Sequence, residues 1–226
     1  MRDDTGMFSF LRDVSLLIGI WVAIYGIDSW RREHRGKRDI ELAEDALTLF
    51  YEARDAIKYM RNPLLHVSEY ADIEKNSDET DGEFAARRKA SVTFRRYDNR
   101  NDLFNKIYAM RYRFMAQIGL ERAKPYEELK VIINDILRTA RILAYSWPQY
   151  YSSNQLPSDK LKQKIERYEA VLWEGSPEED PITPKIDETI DKIENTCRKI
   201  ITAKGTLYSY LNQPLEKCKH WFNIKN

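Results

Sequence analysis

VSLLIGIWVAIYGI, residues 14–27, contains no charged side chain and is bounded by Arg12-Asp13 on one side and Asp28 on the other. Its reading decides whether the chain is a soluble helical protein or one anchored in lipid. Fourteen residues rise only about 21 Å as a helix, short of the roughly 30 Å hydrocarbon core of a bilayer. Counted from Phe8, the run FSFL extends the apolar stretch to twenty residues. Arg12 and Asp13 then lie one turn inside its end, where the arginine reaches for the headgroups and the pair partly neutralises itself. A spanning helix is the expectation, with an interfacial helix or a soluble core helix as the alternatives. The start MRDDTGM is acidic as well as basic and no small-x-small site follows, which argues against a cleaved signal peptide and for a retained anchor.

The flanks predict an orientation. RREHRGKR, residues 31–38, places Arg31, Arg32, Arg35, Lys37 and Arg38 after the segment, against Arg2 and Arg12 before it. By the positive-inside rule the C-terminal side is cytoplasmic, as expected of a single-pass protein of a bacterial inner membrane. These five cations are candidate contacts for lipid headgroups, with Trp30 as the interfacial aromatic. Within the segment Ser15, Gly19 and Ala23 fall four apart and Gly26 three further on. Small residues on one helix face let two backbones approach closely in lipid, so a homo-oligomer is expected.

The remainder predicts helices. Leu42, Ala46, Leu49, Phe50, Ala53, Ile57 and Met60 recur at steps of three and four, an apolar stripe of period 3.6. Pro63 then disfavours helical geometry at Asn62, so this helix stops near Arg61. Leu103, Phe104, Ile107, Tyr108, Phe114, Met115 and Ile118 mark a second helix capped by Gly119, and a third starts near Pro125 and ends at Pro148. A fourth covers Asp159 to Trp173. A fifth begins near Pro184 and carries Ile186, Ile190, Ile193, Cys197, Ile200, Ile201, Tyr208 and Leu211 in register, interrupted by Lys204. The expected fold class is all-α: an anchor over 1–30, then a cytoplasmic bundle of four to five helices over 31–226, with a loop at 68–83 and linkers at 148–157 and 174–184.

Charge is balanced overall, 37 basic residues against 36 acidic ones, so no global field drives the chain onto nucleic acid. It is uneven locally. Residues 68–83 hold seven acidic residues and one lysine, and the following run 87–100 holds Arg87, Arg88, Lys89, Arg95, Arg96 and Arg100 with one acid. The two stretches are expected to shield each other. Failing that, the basic run is a candidate nucleic-acid or partner patch, with Phe94 and Tyr97 able to stack on bases. Cys197 and Cys218 have no metal-ligand spacing and read as reduced packing residues, and His34, His66 and His220 have no second ligand at helical spacing. No metal site and no cofactor is expected, and no Walker loop, GxSxG elbow or GxGxxG occurs.

One hexapeptide raises catalysis. RNPLLH, residues 61–66, resembles the motif of HEPN-type ribonucleases. The resemblance implies a metal-independent RNA cleavage in which His66 is general acid or base and Arg61 stabilises the phosphorane charge. Pro63 departs from that pattern. More broadly, residues 30–63 and 109–129 resemble a group of uncharacterised bacterial proteins with a short N-terminal membrane segment and a helical cytoplasmic body. That resemblance implies location and architecture and supplies no functional residues. The expected function is a membrane-anchored scaffold or effector that works by self-association and a protein partner, without catalysis. A membrane-tethered ribonuclease acting on RNA and an oligomeric pore are the alternatives.

Overall fold

A computed structural model describes the backbone of residues 4–152, 158–175 and 180–202. Among these the chain is all-helical, with six α-helices: α1 Asp4–Met60, α2 Asp81–Asp98, α3 Asn101–Gln117, α4 Lys124–Ser152, α5 Asp159–Leu172 and α6 Thr183–Thr202. Short 3-10 turns lie at Val67–Glu69 and Glu121–Ala123. The chain divides into two units. The described part of the first is 4–42 with 200–202, and the second is 43–199.

In the first unit α1 is unbroken, and every side chain from Ser15 to Arg38 is exposed. Leu42 ends the unit fully buried. The helix contains an 18-residue window of mean hydropathy 1.3, none of it buried, so one helix is long and apolar enough to cross a membrane. Arg12 and Asp13 pair at 3.3 Å, as their adjacency predicts.

In the second unit α4 is central, packing on α2, α3 and α5. Its stripe Leu129, Ile132, Ile133, Ile136, Ala140, Leu143 and Trp147 is buried throughout, because residues at steps of three and four share one helix face. Tyr126 meets Phe50 of α1 edge-on at 4.9 Å and Phe114 of α3 at 5.4 Å. From α6, Ile186, Ile190, Ile193 and Cys197 enter the core, while Lys192 pairs with Glu128 of α4 at 3.0 Å. Gly119 has φ +122 and donates its N–H to Phe114 O at 3.3 Å. That left-handed position after α3 favours glycine.

Two boundaries correct the sequence reading. The helix α2 fills part of what reads as loop and basic run, since Ala86, Ala90, Val92, Thr93 and Arg96 form its buried face in place of large apolar residues. Helix α4 runs through Pro148 to Ser152. Pro148 lacks the N–H for the carbonyl four residues back and its ring crowds that carbonyl, and Trp147 helps hold the segment by donating its indole N–H to Glu169 of α5 at 2.8 Å. The linker therefore begins after Ser152. Lys204, Tyr208, Leu211, Cys218 and His220 lie outside the described residues.

Candidate functional site

The RNPLLH hexapeptide sits where α1 ends, and a helix end leaves its last carbonyls without partners. Arg61 is buried to 1% exposure. Its Nε donates to Val171 O at 3.0 Å, Nη1 to Asp180 Oδ2 at 3.0 Å and Thr183 Oγ1 at 3.2 Å, and Nη2 to Ala170 O, Trp173 O and Asp180 Oδ1 at 2.9, 2.9 and 2.7 Å. The guanidinium thus satisfies the free carbonyls that close α5. Asp180 in turn accepts N–H bonds from Ile182 and Thr183 and the Thr183 hydroxyl, which caps the start of α6. The Arg61 carbonyl accepts the N–H of Glu174 at 2.8 Å. One side chain joins the ends of three helices.

A second arginine holds the other side of the hexapeptide. Arg96 of α2, also at 1% exposure, donates Nε to Glu69 Oε1 at 2.6 Å and Nη2 to Glu69 Oε2 at 2.8 Å. Its remaining N–H groups reach Tyr59 O, Asn62 O and Leu64 O at 3.2, 2.6 and 2.6 Å. Asn62 accepts the N–H of Leu64 on its own side chain at 2.9 Å, closing a local turn before the 3-10 segment.

The geometry does not bring Arg61 and His66 together as a paired site. Every N–H of Arg61 is committed to a protein acceptor, so no donor remains for a phosphorane oxygen, while His66 is exposed and spends its backbone N–H on Glu69. The two residues differ in environment, one a buried structural cation and the other a surface side chain. Among the described residues, no three His, Cys, Asp or Glu side chains converge to hold a metal ion. Cys197 is buried, and burial pushes its thiol up to about 11, away from a reactive thiolate.

The acidic and basic stretches do shield each other. Arg87 makes a bidentate pair with Glu79 at 2.8 and 2.7 Å, and Arg95 one with Asp72 at 2.5 and 2.9 Å. Arg88 lies 4.4 Å from the Tyr70 ring, and Lys89 lies 4.3 and 5.7 Å from Trp147 and Trp173. Of the six cations proposed as a nucleic-acid or partner patch, only Arg100 has no ion pair or ring contact among the described residues. Phe94 and Tyr97 are half-buried, Phe94 under Arg141 and Tyr97 stacked on Phe104 at 5.2 Å. Five of the six cations are thus met within the chain, and of the six only Arg96 is buried. Between α2 and α4 runs a groove of about 780 Å³ whose lining includes Ala90, Phe94, Arg141, Ala144, Tyr145 and Pro148, without a histidine or cysteine to carry chemistry.

The sequence held unread signals for this arrangement. TDGE, residues 80–83, is a capping box, realised as Thr80 and Glu83 bonding each other's backbone N–H. Asp180, three residues before Thr183, is a helix-start signal. The pairing of Arg61 with Asp180, 119 residues apart, has no local signature. Comparison with protein-family models, curated proteins and solved structures gives no match to this chain.

Replacing Arg61 by alanine strands a buried carboxylate and three helix-end carbonyls, so a loss of about 3–5 kcal/mol is expected. Asp180→Ala should lose a similar amount and the double variant less than the sum, read from urea denaturation followed by circular dichroism. His66→Ala should move the same curve by less than about 0.5 kcal/mol.

The pH dependence has a definite sign. Burial alone would raise the Asp180 pKa, but hydrogen bonds from Arg61, Thr183 and the backbone of Ile182 and Thr183 outweigh it and hold it at about 2. The Arg96 guanidinium, with the His66 N–H and Tyr59 hydroxyl, holds Glu69 at about 2 against the opposing effect of burial. Both folded values lie below the unfolded ones, so their stabilisation is complete above about pH 5 and is lost as pH falls toward 2. The urea midpoint should drop over that window, and less steeply in Asp180→Asn; an unchanged slope in the variant would contradict this assignment.

Proposed function

We propose that this chain is a single-pass, membrane-anchored helical protein that works by self-association and partner binding rather than by catalysis. The observation that carries the reading is the exposure of α1. Leu16, Leu17, Ile18, Ile20, Trp21, Val22, Ile24, Tyr25, Ile27 and Trp30 are each 53–67% exposed. They point to all sides of the helix, so no single packed face accounts for them. A helix apolar all round belongs in an apolar surrounding. Each such side chain gains roughly 1.5–3 kcal/mol on leaving water, so the set supplies a large driving force for insertion.

The unbroken helix from Phe8 to Ile27 rises about 30 Å, the thickness of the hydrocarbon core. Trp30, stacked on His34 at 5.4 Å, and the exposed Arg31, Arg32, Arg35, Lys37 and Arg38 suit the headgroup region. The charge asymmetry supports a cytoplasmic second unit in a bacterial inner membrane. Gly19 and Gly26 have no heavy atom within 4 Å of where a Cβ would stand, so packing within the chain does not require them. Each weakens an isolated helix by about 1 kcal/mol relative to alanine. A second α1 seated against Ser15, Gly19, Ala23 and Gly26 would use the space they leave.

The full chain should stay with membranes washed in alkaline carbonate, and Ile20→Lys with Ile24→Lys should release it to the supernatant. Recovery of the unaltered chain in that supernatant would rule the anchor out. Gly19→Leu should lower the mass of the detergent-extracted oligomer in light scattering, whereas an unchanged mass would remove this stripe from the interface.

A further inference from the structure

Helix α5 distributes its charge unevenly. Ile165 and Leu172 are buried and Leu161 and Tyr168 half-buried, which fixes the inward face. Lys160, Lys164 and Arg167 recur at i, i+4 and i+7, so they share an outward face, and all three are exposed. The acids of the helix lie elsewhere on its circumference. Glu166 pairs with Lys162 at 4.0 Å and Glu169 accepts the indole N–H of Trp147. Lys160, Lys164 and Arg167 have no carboxylate partner among the described residues, and Lys164 lies 5.9 Å from the Tyr168 ring. With Gln163 and Tyr168 they line one surface depression of about 440 Å³.

This contrasts with α2, where the cations are met by carboxylates or rings. A shortage of acids is not the cause, since the chain has 36 against 37 basic residues. Cations three and four apart on a helix repel one another, and a bound anion would remove that repulsion. The chemistry favours one class of anion. Two ammonium groups supply point charges, a guanidinium supplies a fork for two oxygens, and the Gln163 amide and Tyr168 hydroxyl supply neutral donors. We propose that this face of α5 binds a phosphate group, carried either by a lipid headgroup or by a soluble phosphorylated molecule.

The test is differential acetylation of lysines in the full-length protein, read by mass spectrometry, with the exposed Lys106 and Lys130 as internal references. In neutral detergent, pyrophosphate should slow labelling of Lys160 and Lys164 at least about threefold relative to the references if the source is soluble. In nanodiscs, replacing phosphatidylcholine by phosphatidylglycerol should do the same without added phosphate if the source is lipid. In Lys164→Gln/Arg167→Gln, exposed substitutions that leave the buried face intact, protection of Lys160 should disappear in whichever arm showed it. Protection in neither arm, or protection that survives in the variant, would overturn the proposal. The detergent arm does not depend on the chain being a membrane protein, so its result stands apart from the carbonate extraction.

Discussion

The buried pair of Arg61 and Asp180 is the constraint on which the second unit depends. Helices leave unpaired carbonyls at one end and unpaired N–H groups at the other, and a bundle that buries those ends must supply partners. Here a cation serves the carbonyl end of α5 and an anion serves the N–H end of α6, each placed where the helix dipole favours its sign. Their attraction then joins the two ends to the last turn of α1. Removing either partner leaves the other as an uncompensated charge away from water, which is why such a pair is far more costly to break than to replace as a whole. Arg96 repeats the device on the other side of the same turn, with Glu69 as its anion.

These two arginines show what else a short motif can encode. An arginine beside asparagine with a histidine five residues on is read as chemistry when only residue types are compared. The protein uses the same arginine to close helix ends, and the deciding quantity is the number of N–H donors left over. For Arg61 that number is zero, because all of them have acceptors within 3.2 Å. A catalytic arginine needs at least one donor aimed at space that substrate can enter. The proline that interrupts the motif belongs to the same logic, since it ends α1 where the carbonyls must turn toward Arg96.

Much of the fold was legible because the apolar stripes have helical period. The stripes of α1, α3 and α6 reappear as faces that hold the buried residues, and Gly119 closes α3 as its position suggests. Helix α2 was not legible from that pattern, because its inward face is built from Ala86, Ala90, Thr93 and an arginine. Small residues let α2 lie close to α4, and a buried arginine looks polar in any hydropathy reading. The mutual neutralisation of the acidic and basic stretches was legible as charge bookkeeping. Its individual pairs were not, because which carboxylate meets which guanidinium depends on how the loop folds back over α2. The Arg61–Asp180 pair was invisible for the same reason, at far greater separation along the chain.

A single helix carries two different patterns. From Leu42 to Met60 the apolar residues of α1 keep to one side and their fully buried members belong to a core, while Glu41, Glu44, Asp45 and Glu52 are exposed. From Leu16 to Ile27 the apolar residues occupy every side and none is covered. A one-sided stripe satisfies a protein interior, because the opposite face must meet water; an all-round one satisfies hydrocarbon. Between the two patterns lie the cations of 31–38, with Glu33 their only acid, where a change of surroundings from apolar to aqueous would be expected to fall. The sequence of α1 therefore holds two apolar patterns along one unbroken helix, and the change from one to the other is marked by charge rather than by a break of the helix.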